Sequence, residues 1–198
     1  MMKRENFRFK VSISRDYYEK KKDALACLSW TGAKPIGKEK MAFREWEVTV
    51  DQFLNCAVNG YAFCNLFQFD PAKEYWFETN NGQKYKTSPL YKTGANKGCM
   101  KLEFKRDRFF RGAQTVFVDI DKTRFTSVQD YLNCLTLKPT CVYMSFSDKL
   151  EKHGVVSRRF RMVYVFDRVL YKDELNVVSN FFQVLNRNRN FRKKNRHF

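Results

Sequence analysis

Nowhere do the 198 residues approach the roughly 18 consecutive apolar positions that a membrane-spanning helix requires, so the sequence predicts a protein that does not cross a membrane. The opening MMKRENFRFKVSIS is basic early on but alternates apolar and polar residues. It lacks the apolar block of a secretory signal, and the expected location is intracellular, in the cytoplasm. Histidine is scarce, with only His153 and His197, and no His-x-His metal pair can be formed. The six cysteines, at 27, 56, 64, 99, 134 and 141, make no CxxC pair, zinc-knuckle spacing or disulfide framework, and they read as reduced, half-buried side chains. Acidic residues are also few: 21 against 38 Lys and Arg, a formal net charge of +17. Such an excess calls for a polyanionic partner, and single-stranded DNA or RNA comes first.

What the chain does contain is apolar and aromatic. Hydrophobic residues make up 43% and are ample for a core, while 20 Phe and 10 Tyr supply rings both for packing and for stacking on bases. Phe7, Phe9, Val11 and Ile13 alternate with polar residues as in a half-buried strand. Asp16 to Leu28 reads as a basic helix and Thr31 to Lys40 as a Gly/Pro/Lys-rich loop. Thr49 and Gln52 form a capping-box pattern ahead of a helical face of Val50, Phe53, Leu54 and Ala57 that stops at Gly60. Tyr61 to Phe69 resembles a strand, and 70–98 is turn-rich without clear periodicity. No Gly/Ser/Pro linker divides this region, 1–100, from the rest of the chain, so it is expected to pack as an accessory α/β layer.

The second half is more regular. Thr115 to Ile120 is a continuous apolar run suited to a buried strand. Thr126 and Gln129 suggest a cap before a short helix, Thr140 to Phe146 and Arg159 to Phe166 form an apparent hairpin, and Leu175, Val178, Phe182 and Leu185 mark one helical stripe. The order β-α-β-β-α is five-sixths of a ferredoxin-like, RNA-recognition-type unit with helices on one face of an antiparallel sheet. The predicted class is therefore α+β, with a core over 101–186. Its last strand is missing: from Asn186 on, NRNRNFRKKNRHF reads as a disordered basic tail whose Arg187, Arg189, Arg192, Lys193, Lys194 and Arg196 suit nucleic acid. The sheet is completed from elsewhere, for example by an N-terminal strand, or the chain is a shortened version of the unit.

Asp119 and Asp121, in VFVDID, carry the sharpest chemical signal. Alternation puts both carboxylates on one side of a strand end, roughly 7 Å apart at the backbone, within reach of one divalent cation or two. Two carboxylates beside Mg²⁺ or Mn²⁺ serve phosphoryl transfer from a nucleoside triphosphate. An apolar strand ending in DxD also arises as a plain turn. On the neighbouring hairpin, alternation aligns Arg159 and Arg161 as a phosphate clamp, with Ser145 and Ser147 able to face the same site.

TVFVDID, a short helix, KPTCVYMSFS, a turn and RRFRMVYVFD together resemble the catalytic core of the archaeo-eukaryotic primase superfamily, in particular the primase-polymerase domains of plasmid and phage replication proteins. WEVTVDQFLNCAVNGYAF resembles, more loosely, the segment that precedes that core. The resemblance implies template-directed nucleotidyl transfer, with Asp119 and Asp121 as metal ligands, nucleotides as substrates and a helicase or another replication protein as possible partner. Arg159 and Arg161 stand where the family's second motif presents a small residue and a histidine, and its third, acidic motif has no clear counterpart; Asp167 is the nearest acid. Two other readings stay open. One is a non-catalytic single-stranded nucleic-acid-binding module on a degenerate fold of the same kind. The other is a haloacid-dehalogenase-like phosphatase, whose opening FVDIDKT matches and for which Ser145 offers the strand-end hydroxyl. A rolling-circle initiator, which wants a His-x-His metal pair with a nearby tyrosine, is nearly excluded by the two lone histidines.

Overall fold

A computed structural model describes residues 7–17, 42–120, 123, 125–145, 148–149, 151–152 and 155–191. The alternating N-terminal segment forms β1 (Arg8–Tyr17), burying Phe9, Val11 and Ile13. It takes in Asp16 and Tyr17, which the sequence assigns to a basic helix; the rest of that span and the loop expected over 31–40 lie outside the described residues. β2 (Ala42–Thr49) pairs antiparallel with β1. Its last residue caps α1 (Val50–Val58) with the predicted capping box: the Gln52 N–H donates to Thr49 Oγ1 at 3.2 Å and the Thr49 N–H to Gln52 Oε1 at 3.0 Å. After Asn59 the chain turns at Gly60, whose φ of 86° favours glycine.

Tyr61 to Phe69 is not one strand. It breaks at Asn65 because its halves serve different sheets: β3 (Tyr61–Cys64) pairs with β1, and β4 (Leu66–Phe67) with β8 (Phe110–Ile120). The turn-rich 70–98 region holds a hairpin, β5 (Tyr75–Glu78) and β6 (Lys84–Thr87), turned at Asn81–Gly82 with Gly82 at φ 80°. β7 (Met100–Lys101) extends β2. In the second half the cap of α2 (Val128–Asn133) is Ser127, one residue after the predicted Thr126, with its Oγ accepting the Gln129 N–H at 3.1 Å. β9 (Cys141–Met144), β10 (Glu151–Lys152), β11 (Val155–Val156) and β12 (Phe160–Leu170) precede α3 (Lys172–Phe191).

The protein is mixed α+β with antiparallel sheets and few helices. An N-terminal sheet, β3-β1-β2-β7, meets a central sheet, β4-β8-β12-β9. Val116, Val118, Ile120, Phe160, Met162 and Tyr164 from the central sheet pack against Tyr131 of α2 and Phe182 of α3. Val163 and Cys141 pack instead with Phe9, Val11 and Ile13 of β1 and Phe53 of α1, so the N-terminal layer shares a core with the central sheet. Phe160, Met162 and Tyr164 thus part from Val163 as alternation predicts.

α3 overruns the predicted boundary at 186. Its backbone stays helical through Phe191, so Arg187 and Arg189 belong to a helix and not to a disordered tail. Arg192, Lys193, Lys194 and Arg196 lie outside the described residues. Among the described residues no helix is long and apolar enough to cross a membrane.

Candidate functional site

The carboxyl end of β8 turns from apolar to polar over two residues. On the sheet face away from α2 and α3, the row Phe117–Val163–Cys141 crosses β8, β12 and β9 and lies under Phe53. Phe53 sits 6.2 Å from the rings of both Phe117 and Tyr143. One step toward the strand end the same face carries Asp119, Arg161 and Tyr143, directly opposite one another in the register. Arg161 Nε donates to Asp119 Oδ1, and its Nη1 donates to the Tyr143 hydroxyl at 3.2 Å. The guanidinium also lies over the rings of Phe117 and Tyr143, 5.9 Å from each centroid.

This row holds its charges in different ways. The Asp119 side chain is 55% exposed and that of Arg161 39%, so the pair faces solvent at the edge of an aromatic wall. Burial alone lowers the Arg161 pKa, but the hydrogen bond and charge of Asp119, with Tyr143 adding to them, reverse this and hold the guanidinium charged more firmly than usual. Burial raises the Tyr143 hydroxyl, against the pull of Arg161, and keeps it a neutral donor and acceptor. The arrangement presents one exposed carboxylate, one cation on a rotatable stem and one phenol, a set able to meet a metal-bound or free phosphate.

Asp121 and Ser147 lie outside the described residues. Ser145 follows β9, and its N–H donates to the Arg159 carbonyl at 3.0 Å. Arg159 departs from the clamp expected of it. Its residue is 1% exposed, so it does not stand beside Arg161 on an open face. Just before β12 begins, Asp148 Oδ1 accepts the Arg159 N–H at 2.8 Å and Arg158 Nε at 3.1 Å. Asp167 is on β12 within the stretch where its register slips against β8, about 20 Å along the strand from Arg161, and so lies away from the polar row.

Tyr143 and Asp148 are the residues that sequence reasoning missed. Tyr143 had a usable signal, since folding the two hairpin strands onto each other sets it opposite Arg161. Asp148 had none beyond its place in a charged turn. Among the described residues no three Asp, Glu, His or Cys side chains gather as a ligand set. Comparison with protein families, curated proteins and solved structures finds no match to this chain.

Proposed function

We propose that this chain is a template-directed nucleotidyltransferase core of the primase-polymerase kind, in which Asp119 and Asp121 hold Mg²⁺ or Mn²⁺ and Arg161 receives the triphosphate of the incoming nucleotide. The observation that carries the reading is the polar row itself: an exposed carboxylate at a central strand end, with a cation poised beside it, on the sheet face opposite α2 and α3 and at the edge of the aromatic wall that Phe53 of α1 covers. Strand order supports it as well. β8-α2-β9-β12-α3, paired antiparallel as β8-β12-β9, matches a ferredoxin-like unit, and β4 occupies the edge beside β8 where that unit's last strand belongs.

Carboxylate oxygens are hard ligands that fit Mg²⁺ or Mn²⁺, and Asp121, two positions on from Asp119, supplies the second carboxylate. A metal held there would neutralise the triphosphate and assist the attacking hydroxyl. Arg161, which donates to Asp119 and to the Tyr143 hydroxyl, would turn to phosphate oxygens, with Tyr143 steadying its guanidinium. The +17 charge draws the template to the same molecule and leaves primer synthesis, nucleotide choice and helicase partnership to be set by what binds around it.

The binding-module reading has an observation of its own: Arg161 already neutralises Asp119, which removes the repulsion a bare carboxylate would offer to a phosphate backbone. The phosphatase reading loses its basis, because it depends on a doubly wound sheet and every strand pairing among the described residues is antiparallel. Calorimetry separates the first two. Transfer predicts that Asp119→Asn weakens Mn²⁺ and metal-dependent nucleotide binding. It further predicts that Arg161→Ala leaves Mn²⁺ binding equal or tighter, its competitor for Asp119 gone, and weakens nucleotide binding by about 10- to 100-fold, the loss of one charge-assisted contact. Metal and nucleotide binding indifferent to both changes would establish the binding module.

A further inference from the structure

On the N-terminal sheet, away from the Asp119 row, the outer part of β2 carries a second cluster of chemistry. Arg44, Trp46 and Val48 share one face by alternation, opposite Ile13, Val11 and Phe9 of β1. α1 covers Phe9 and Phe63 on this face through Phe53. It does not reach across Trp46, which is 51% exposed. The result is a cavity of about 660 Å³ with Ile13 and Val48 among its apolar walls and Trp46, Arg8, Arg44 and Lys97 around it. That volume lies within the range of pockets that hold small organic ligands.

The cations here are placed rather than scattered. Lys97 rides on a loop closed by four backbone hydrogen bonds among Tyr91, Gly94, Asn96, Lys97, Gly98 and Cys99, and Arg15 Nη1 pins that loop to the sheet through Asn96 Oδ1 at 2.7 Å. The Arg44 guanidinium lies against Gly98. Among the described residues the side chains of Arg44 and Lys97 have no hydrogen-bond or ion-pair partner. Glu47 is the one carboxylate among the described residues that line the cavity, against Arg8, Arg15, Arg44 and Lys97.

We infer that this cavity is a binding site for one nucleotide of a single-stranded nucleic acid, with the base stacked on the Trp46 indole and an adjacent phosphate held by Arg44 and Lys97. An exposed indole offers any base a flat apolar face, and arginine and lysine supply the matching charge. The charge of the chain favours a strand over a free nucleotide. Arg44 lies two residues before Trp46 on the same face of β2, next to the loop that carries Lys97, whereas Arg8, opposite Thr49, starts from the other face and its Nη1 donates to the Glu47 carbonyl at 3.3 Å. A chain of net charge +17 gains far more by counterion release from a polyanionic strand than from the one phosphate group of a free nucleotide. This site stands on a different sheet from the Asp119 row and does not depend on the reading of that row.

The test is fluorescence anisotropy of a labelled oligothymidylate on the full chain, with thymidine 5′-monophosphate as competitor. Trp46→Ala is expected to weaken oligonucleotide binding by about 5- to 150-fold, the loss of one base–aromatic stack, and to do so at low and at moderate salt alike. Trp46→Phe restores most of the affinity. Arg44→Ala weakens binding at low salt and reduces the salt slope by about one. Because the indole is half exposed, these variants keep the wild-type melting temperature; if Trp46→Ala does not, Arg44→Glu, at an exposed position, decides. Affinity within twofold of wild type in Trp46→Ala or Arg44→Glu overturns the site, and a monophosphate that competes as tightly as the oligonucleotide overturns the assignment to a strand. Loss of metal binding in Asp119→Asn alongside intact Trp46-dependent binding separates this site from the proposed catalytic one.

Discussion

Asp119 meets its cation across the sheet, because β12 runs antiparallel to β8 in a register that sets Arg161 opposite it. Residue types and alternation made both side chains readable in the sequence; the register that pairs them was not, since it depends on where the hairpin closes. Arg159 shows the same limit in reverse: it alternates with Arg161 on paper, yet the residue is buried and its N–H donates to Asp148. The cysteines read as reduced and half-buried; the described ones form no disulfide, but only Cys56 is half-buried, while Cys64, Cys99 and Cys141 are buried and Cys134 is exposed. Burial pushes the Cys64 thiol up to about 12 and that of Cys141 up to about 11, because the thiolate is poorly solvated there. A raised thiol value means that the neutral form stabilises the fold. That contribution is complete below about pH 8.5 to 9, where the unfolded thiol titrates, and is lost as pH rises toward 11 and 12. Iodoacetamide labelling of the native protein at pH 8, read by mass spectrometry, should modify exposed Cys134 readily and leave Cys64 and Cys141 unmodified until the chain unfolds. Labelling of Cys64 as fast as Cys134 would contradict the buried assignment.

Elements were legible in proportion to how local their causes are. The Thr49–Gln52 capping box needs only four consecutive residues and is present as predicted. The break at Asn65 and the bulge of β12 have tertiary causes and were not visible. Between Val165 and Leu170 the register of β12 slips against β8. Gln114 occupies the irregularity, its amide donating to the Phe166 carbonyl at 3.3 Å and accepting the Lys10 N–H at 2.9 Å, which ties β1 to the central sheet. Beside it the two strands come close enough that only glycine fits. A Cβ on Gly112 would lie 2.5 Å from Val169 Cγ1 and 2.6 Å from the Leu170 carbonyl oxygen. A backbone carbonyl cannot rotate aside as a flexible side chain can, so Gly112→Ala should cost about 1–3 kcal/mol through strand displacement. The urea midpoint of the variant measures this, and a midpoint equal to wild type would mean that the bulge absorbs the methyl.

For the whole molecule, Phe53 is the point where the layers meet. It is fully buried and touches Phe9 and Phe63 of the N-terminal sheet and Phe117 and Tyr143 of the central sheet. Removing its ring should cost about 3–5 kcal/mol in Phe53→Ala, with secondary structure and near-ultraviolet signals lost in one coincident transition. Two separate transitions would show that the layers unfold independently. The same aromatic wall backs the Asp119–Arg161 row, so layer packing and the proposed chemistry share one support. The central claim is that this row transfers nucleotides, and extension of a labelled primer–template by the purified chain with Mn²⁺ and all four nucleotides tests it most directly. The account predicts extension by the wild-type chain, its loss in Asp119→Asn and in Asp121→Asn, and primer–template binding unchanged in both variants. Equal extension by wild type and variants, or none by any of them under conditions where the template is bound, would contradict it.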